Sequence, residues 1–111
     1  MCQHRFGVLN DLHLELQSEG ITDVRIMGIN GYQYINDNNS GMIDDRVLPW
    51  TQDVLSVDVW GQWDVTLRDL FILDRDGKFI TKINLTSYNP DPNSTCGQNY
   101  STIKNVILNA R

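Results

Sequence analysis

The sequence predicts a mixed α/β fold, and three observations predict it. Apolar residues recur at three- and four-residue spacing near both ends of the 111-residue chain, as amphipathic helices require. Between them, "DVRIMGIN" is apolar on both faces, as a buried strand is. Third, "DLFILD" and "KFITKINL" flank "RDG", and Asp76-Gly77 supplies the left-handed backbone of a tight hairpin.

In order along the chain, Phe6, Leu9, Leu12 and Leu16 place one stripe on a helix over 4–18, which Gly20 ends. Val24, Ile26 and Ile29 then form the strand at 23–30. The polar, turn-rich residues 31–46 read as a surface loop. Val54, Val57 and Trp60, with Leu55 beside them, predict a short helix. The hairpin follows, then the segment 87–99, and Ile103, Val106, Ile107 and Ala110 share one face of a C-terminal helix. The length suits one domain over 1–111 with a single core.

Fourteen acidic against nine basic side chains give a net charge of -5 and a pI near 4.7, with no basic stripe. That charge argues against nucleic acid or an anionic membrane as the main partner. The longest apolar runs are four or five residues, where a bilayer span needs roughly 20. The start, "MCQHRFGVLNDLHLEL", is amphipathic and does not read as a signal peptide. Cys2 and Cys96 are 94 positions apart with no second Cys or His at ligand spacing, so a zinc site is not expected.

Two acidic loops invite a calcium reading, and ligand counting disfavours both. In "NDNNSGMIDDRV", residues 36–47, the first position is Asn36 where calcium loops prefer Asp, and the twelfth is Val47 where a bidentate Glu belongs. "DRDGK" is shorter and reads as the hairpin turn.

The succession of helix, strand, helix, hairpin and helix, with "RDLFILDRDGKFITKINL" before the last helix, resembles thioredoxin-like and peroxiredoxin-like proteins. The likeness is closer to the N-terminal domain of selenoprotein P. It rests on Leu9, Leu12 and Leu16; Glu19 and Gly20; Asn30; Pro49 and Gln52; Asp58, Val59 and Trp60; and Asp69, Phe71, Leu73, Asp74, Arg75 and Gly77, in collinear order.

The resemblance implies a thioredoxin-like three-layer α/β fold lacking its central N-terminal strand, which would pair with the strands at 23–30 and 69–74. It implies a thiol- or selenol-dependent redox domain, a disulfide oxidoreductase or peroxidase, with protein thiols, disulfides or small peroxides as partners and no cofactor. An extracellular or periplasmic location is favoured on the same ground. Cys2 stands where the second, resolving member of the redox pair belongs. The first, cysteine or selenocysteine, is expected before Met1, together with the missing strand.

A thiolate at a helix N-terminus is stabilised by unpaired N–H groups and the helix dipole, which lowers its pKa. Against this, Cys2 also reads as an incidental terminal cysteine, and nothing in the sequence brings Cys96 within the roughly 4.4–6.8 Å between Cα atoms that a disulfide needs. Arg68, just before the first hairpin strand, sits where peroxiredoxins carry an arginine that favours the thiolate and binds peroxide oxygens. As a solvated strand-end charge it needs no role at all. His4, one turn into the helix, is a candidate to tune Cys2 or a surface histidine. Trp50, Trp60 and Trp63 read as packing residues. The alternative to redox chemistry is a redox-inert binding or structural domain on the same fold.

Overall fold

A computed structural model describes residues 2–36, 40–44 and 46–111, the side chains at 2, 3, 40 and 41 excepted. Its elements are helix α1 (Cys2–Ser18), strand β1 (Gly28–Asn30), the short helix α2 (Ser40–Ile43), strand β2 (Trp50–Gln52), the short helix α3 (Val59–Gln62), strands β3 (Asp69–Leu73) and β4 (Phe79–Asn84), and helix α4 (Gln98–Asn109). This is a mixed α/β arrangement. None of the described helices is long and apolar enough to cross a membrane.

The core is built where the helical stripes meet the hairpin. Phe6, Leu9, Leu12 and Leu16 of α1 cluster with Ile103 and Ile107 of α4, and with Ile72, Leu85, Met42 and Leu48. Leu12, Leu16 and Ile103 are each 1% exposed, and burying such a side chain stabilises by about 1.5–3 kcal/mol. Spacing explains the pairing: residues three and four apart share a helical face, so each stripe buries without exposing its neighbours.

Polar contacts fix the same two helices. The Tyr100 hydroxyl donates to Glu15 at 2.8 Å, and Lys104 reaches Glu19 at 2.9 Å and Glu15 at 3.3 Å. The Tyr100 hydrogen bond, opposed by partial burial and helped by Lys104, holds the Glu15 carboxyl below its ordinary value. Burial and then the Glu15 carboxylate push the Tyr100 hydroxyl well above its ordinary value. Farther along, Asp23 pairs with Arg75 of the hairpin turn and with Arg111 at 2.9 Å.

The strands form two separate ribbons. β1 pairs in parallel with β2, Gly28 opposite Trp50 and Asn30 opposite Gln52. β3 pairs antiparallel with β4, Asp69 opposite Asn84, with an irregularity between Ile72 and Leu73. Among the described residues β1 and β3 are not hydrogen-bonded to each other. The hairpin turns at Gly77, whose φ of +79° is the left-handed value expected there. Asp74 secures that turn by accepting from the N–H groups of Asp76 and Lys78, each at 2.9 Å.

Four elements differ from the sequence reading, and the first is α2 (Ser40–Ile43), a short helix within the expected surface loop at 31–46 that brings Met42 into the core. The strand expected over 23–30 pairs only at 28–30, since the ladder ends where β2 does. The segment at 50–52 forms β2, which no sequence pattern announced. The helix expected around Val54–Trp60 is displaced to Val59–Gln62, and Val54–Val57 is a turn. Asp53 is the cause. Its buried carboxylate accepts from the N–H of Val54 at 2.9 Å, Val59 at 3.0 Å and Trp60 at 3.1 Å, which folds the chain back on itself. Of the acidic loop at 36–47, positions 37–39 and 45 lie outside the described residues.

A cleft between two strand ribbons

β1 and β3 flank a cavity of about 1430 Å³, closed from the helical side by Phe6, Leu9 and Ile107 and lined elsewhere by Trp60, Trp63 and Leu70. Small-molecule pockets are typically about 300–1,000 Å³, so this space is large for one. Its walls carry backbone edges as well as side chains.

On β1, the N–H of Gly28 donates to the Pro49 carbonyl at 2.9 Å, and the Asn30 carbonyl accepts from Asp53 at 2.9 Å. Because strand residues alternate direction, Ile29 between them turns its backbone away from β2. Its carbonyl accepts from the Trp60 indole at 3.1 Å.

On β3, the Arg68 carbonyl accepts from Leu85 at 2.8 Å, which makes Arg68, Leu70 and Ile72 the residues bonded to β4. Phe71 therefore turns its N–H and carbonyl away from the hairpin partner. The directions follow from two contacts. Asp23, at the start of the stretch leading into β1, pairs with Arg75, just past the end of β3. At the opposite end Trp60 touches Ile29 while its own carbonyl accepts from Val65, which leads into β3. β1 and β3 thus run in opposite directions across the cleft.

The sequence-predicted site residues fall at different places around it. Arg68 is half-buried and lines the cleft, and its Nη1 donates to Thr86 Oγ1 at 3.0 Å. Its φ of +68° is left-handed, a conformation that costs a non-glycine residue about 1–2 kcal/mol. Its buried Nε has no acceptor among the described residues. Trp50 Nε1, also on the cleft wall, shares that condition.

Cys2 opens helix α1, and its side chain lies outside the described residues. His4 is engaged: its Nε2 meets Asp91 Oδ2 at 2.6 Å. The Asn93 N–H and then His4 hold the Asp91 carboxyl below its ordinary value. Cys96 is an exposed free thiol.

Two contacts were out of reach of sequence reasoning. Asn30, buried at the end of β1, donates to Gln52 Oε1 at 2.8 Å and to the Tyr34 carbonyl at 3.1 Å. Gln52 in turn donates to the carbonyls of Gly31 and Asp53. The only signal was the order Asn30, Gln52 in the resemblance. Asp53 is the second. Burial pushes its carboxyl up, but the donors from Val59, Trp60 and Val54 outweigh it and leave the group below its ordinary value. That carboxylate aims Trp60 at Ile29.

Packing at β1 also depends on one glycine. A Cβ on Gly28 would meet Trp50 Cε3 at 2.1 Å, so only glycine lets the Trp50 ring lie over the strand and reach Phe6, 5.2 Å away edge to face.

No protein-family model, curated protein or solved structure matches the chain.

Proposed function

We propose that this chain is a thioredoxin-like domain of thiol or selenol redox type, a disulfide oxidoreductase or peroxidase in which Cys2 resolves the oxidised intermediate. The observation that carries the reading is the place of Cys2 as first residue of a 17-residue helix whose apolar stripe is anchored in the core. A thiol there gains the helix dipole and unpaired N–H groups, and both favour the thiolate.

As resolving residue, Cys2 acts with a first thiol or selenol and an external dithiol. The Cys2 thiolate attacks the sulfur or selenium of the first redox residue in its mixed disulfide with substrate, an S–S or Se–S bond forms between that residue and Cys2, and the substrate sulfur leaves as a thiolate that takes a proton. When the intermediate is a sulfenic or selenenic acid, the same attack forms the S–S or Se–S bond and the oxygen leaves as water. An external dithiol reduces that bond, becomes a disulfide itself, and returns Cys2 to the thiol. Arg68 serves as positioning cation: its guanidinium lines the cleft at the start of β3, where it favours an anion over a neutral thiol.

The test is the pH dependence of alkylation of Cys2 in a Cys96→Ser background. A pKa at least about one unit below the ordinary thiol value of about 8.5 is expected. An ordinary value refutes the reading. In that case the second reading stands, a redox-inert binding domain, which the 1430 Å³ cleft favours.

A further inference from the structure

We infer that the turn at Val54–Val57 is a docking surface for a basic amphipathic helix of a partner protein. Aliphatic side chains of that helix seat on Val54, Leu55 and Val57, and its lysines or arginines face Asp58 and Asp64. Three observations carry the inference.

The first is residue type. Exposed turns ordinarily use Gly, Pro, Asn, Asp and Ser, which adopt the turn backbone or bond to it, yet three of the four residues here are aliphatic. Val54 is 40% exposed, Leu55 69% and Val57 51%, all within one turn. Apolar residues scattered singly over a surface need no explanation, whereas a contiguous group marks an interaction site. None of the three lines the cleft between β1 and β3.

The second is rigidity. The buried Asp53 carboxylate accepts from the N–H groups of Val54, Val59 and Trp60. The Val54 carbonyl accepts from Val57 at 3.0 Å and from Asp58 at 2.7 Å, and Gln62 Nε2 donates to the Val57 carbonyl at 2.6 Å. The aliphatic group is therefore held in place before a partner arrives, which lowers the ordering cost of binding. No strand lies at 54–57, so the turn offers side chains and no ladder. A helix, whose backbone is satisfied internally, suits such a surface better than an extended peptide.

The third is charge. Residues 47–67 contain Asp53, Asp58 and Asp64 and no Lys, Arg or His. Asp53 turns its carboxylate inward, whereas Asp58 ends the turn and Asp64 follows α3, and neither has a cationic partner among the described residues. An apolar group bordered by acids alone selects an occupant that carries cations. It disfavours a second copy of this chain, since two such surfaces would set Asp against Asp, and an anionic membrane for the same reason.

The inference does not rest on Cys2, and its test leaves the thiol unused. The full chain is titrated with the peptide Lys-Leu-Leu-Lys-Lys-Leu-Leu-Lys-Lys-Leu-Leu-Lys, and separately with the same peptide carrying glutamate in place of every lysine. Binding is followed through the backbone amide resonances. Expected is saturable binding of the lysine peptide below about 1 mM, with shifts at Leu55 and Val57, and at least about tenfold weaker binding of the glutamate peptide. Leu55→Ser weakens binding at least about fivefold, and Asp58→Asn combined with Asp64→Asn at least about threefold. Asparagine suits the left-handed backbone of both aspartates, whose φ values are +49° and +53°. No binding at about 1 mM, equal binding of the two peptides, parent-like affinity in either variant, or shifts at Met27 and Phe71 of the cleft with none at 54–57 overturns it. Self-association of the chain alone that Leu55→Ser abolishes overturns it too, in favour of a second copy.

Discussion

The two long helices and the strand ribbons solve the same burial problem with different success. Where α1 meets α4, Leu12, Leu16 and Ile103 are 1% exposed, and a polar seam of Glu15, Tyr100, Lys104 and Glu19 closes over them. Around β1 the chain is held by small devices, and Met27 is 55% exposed and Ile29 36%. Repetition makes the difference. A helix presents a buried residue at every turn, while a three-residue strand with one partner leaves its second edge uncovered. Burial is thus concentrated on the helical side.

That contrast breaks most visibly in the core. Ile103→Ala is expected to cost about 2–5 kcal/mol in denaturant unfolding, and Met27→Ala less than about 0.5 kcal/mol. Equal costs would erase the distinction between the regions.

Tyr100→Phe comes next, with a loss of about 1 kcal/mol, since one hydrogen bond goes while the ring stays. The pH signature follows the shifts. The lowered Glu15 carboxyl contributes stability above its unfolded value of about 4.3 that is lost as pH falls through the folded one. The raised Tyr100 hydroxyl contributes stability present below about 10 that is lost as pH rises through the folded value. Unfolding curves from acid to alkaline pH should show both losses in the parent and flatten on both sides in the Phe variant.

Asp53→Asn acts locally. Its lowered carboxyl stabilises the 53–60 turn above about pH 3.9, with loss as pH falls further. The amides of Val59 and Trp60 should exchange faster in the variant while those of Ile103 and Ile107 keep their rates. Uniform acceleration would mean the two regions open together. Smallest is Arg68→Gly, where relief of the left-handed backbone offsets the lost Thr86 hydrogen bond, leaving global stability within about 1 kcal/mol of the parent.

Legibility in the sequence follows the same division. The stripes of α1 and α4 and the Asp76-Gly77 turn were readable because each rests on local spacing or a local backbone need. β2 was not, because "WTQ" has no strand pattern of its own and becomes a strand by lying beside Gly28–Asn30. The shift of α3 was hidden in Asp53, whose side chain outcompetes Val54–Val57 for the start of a helix. Of the candidate site, sequence placed Arg68 at the head of the hairpin. Its left-handed backbone and the pairing of Asn30 with Gln52 are products of tertiary structure.

The joining of the first and last helices has a temporal consequence. Tyr100 meets Glu15 and Lys104 meets Glu19 across 85 positions, and Arg111 meets Asp23 across 88. During synthesis α1 leaves the ribosome long before the surface that covers it exists, so its leucines await α4. The docking of α1 is therefore a late event, completed only once α4 has been made.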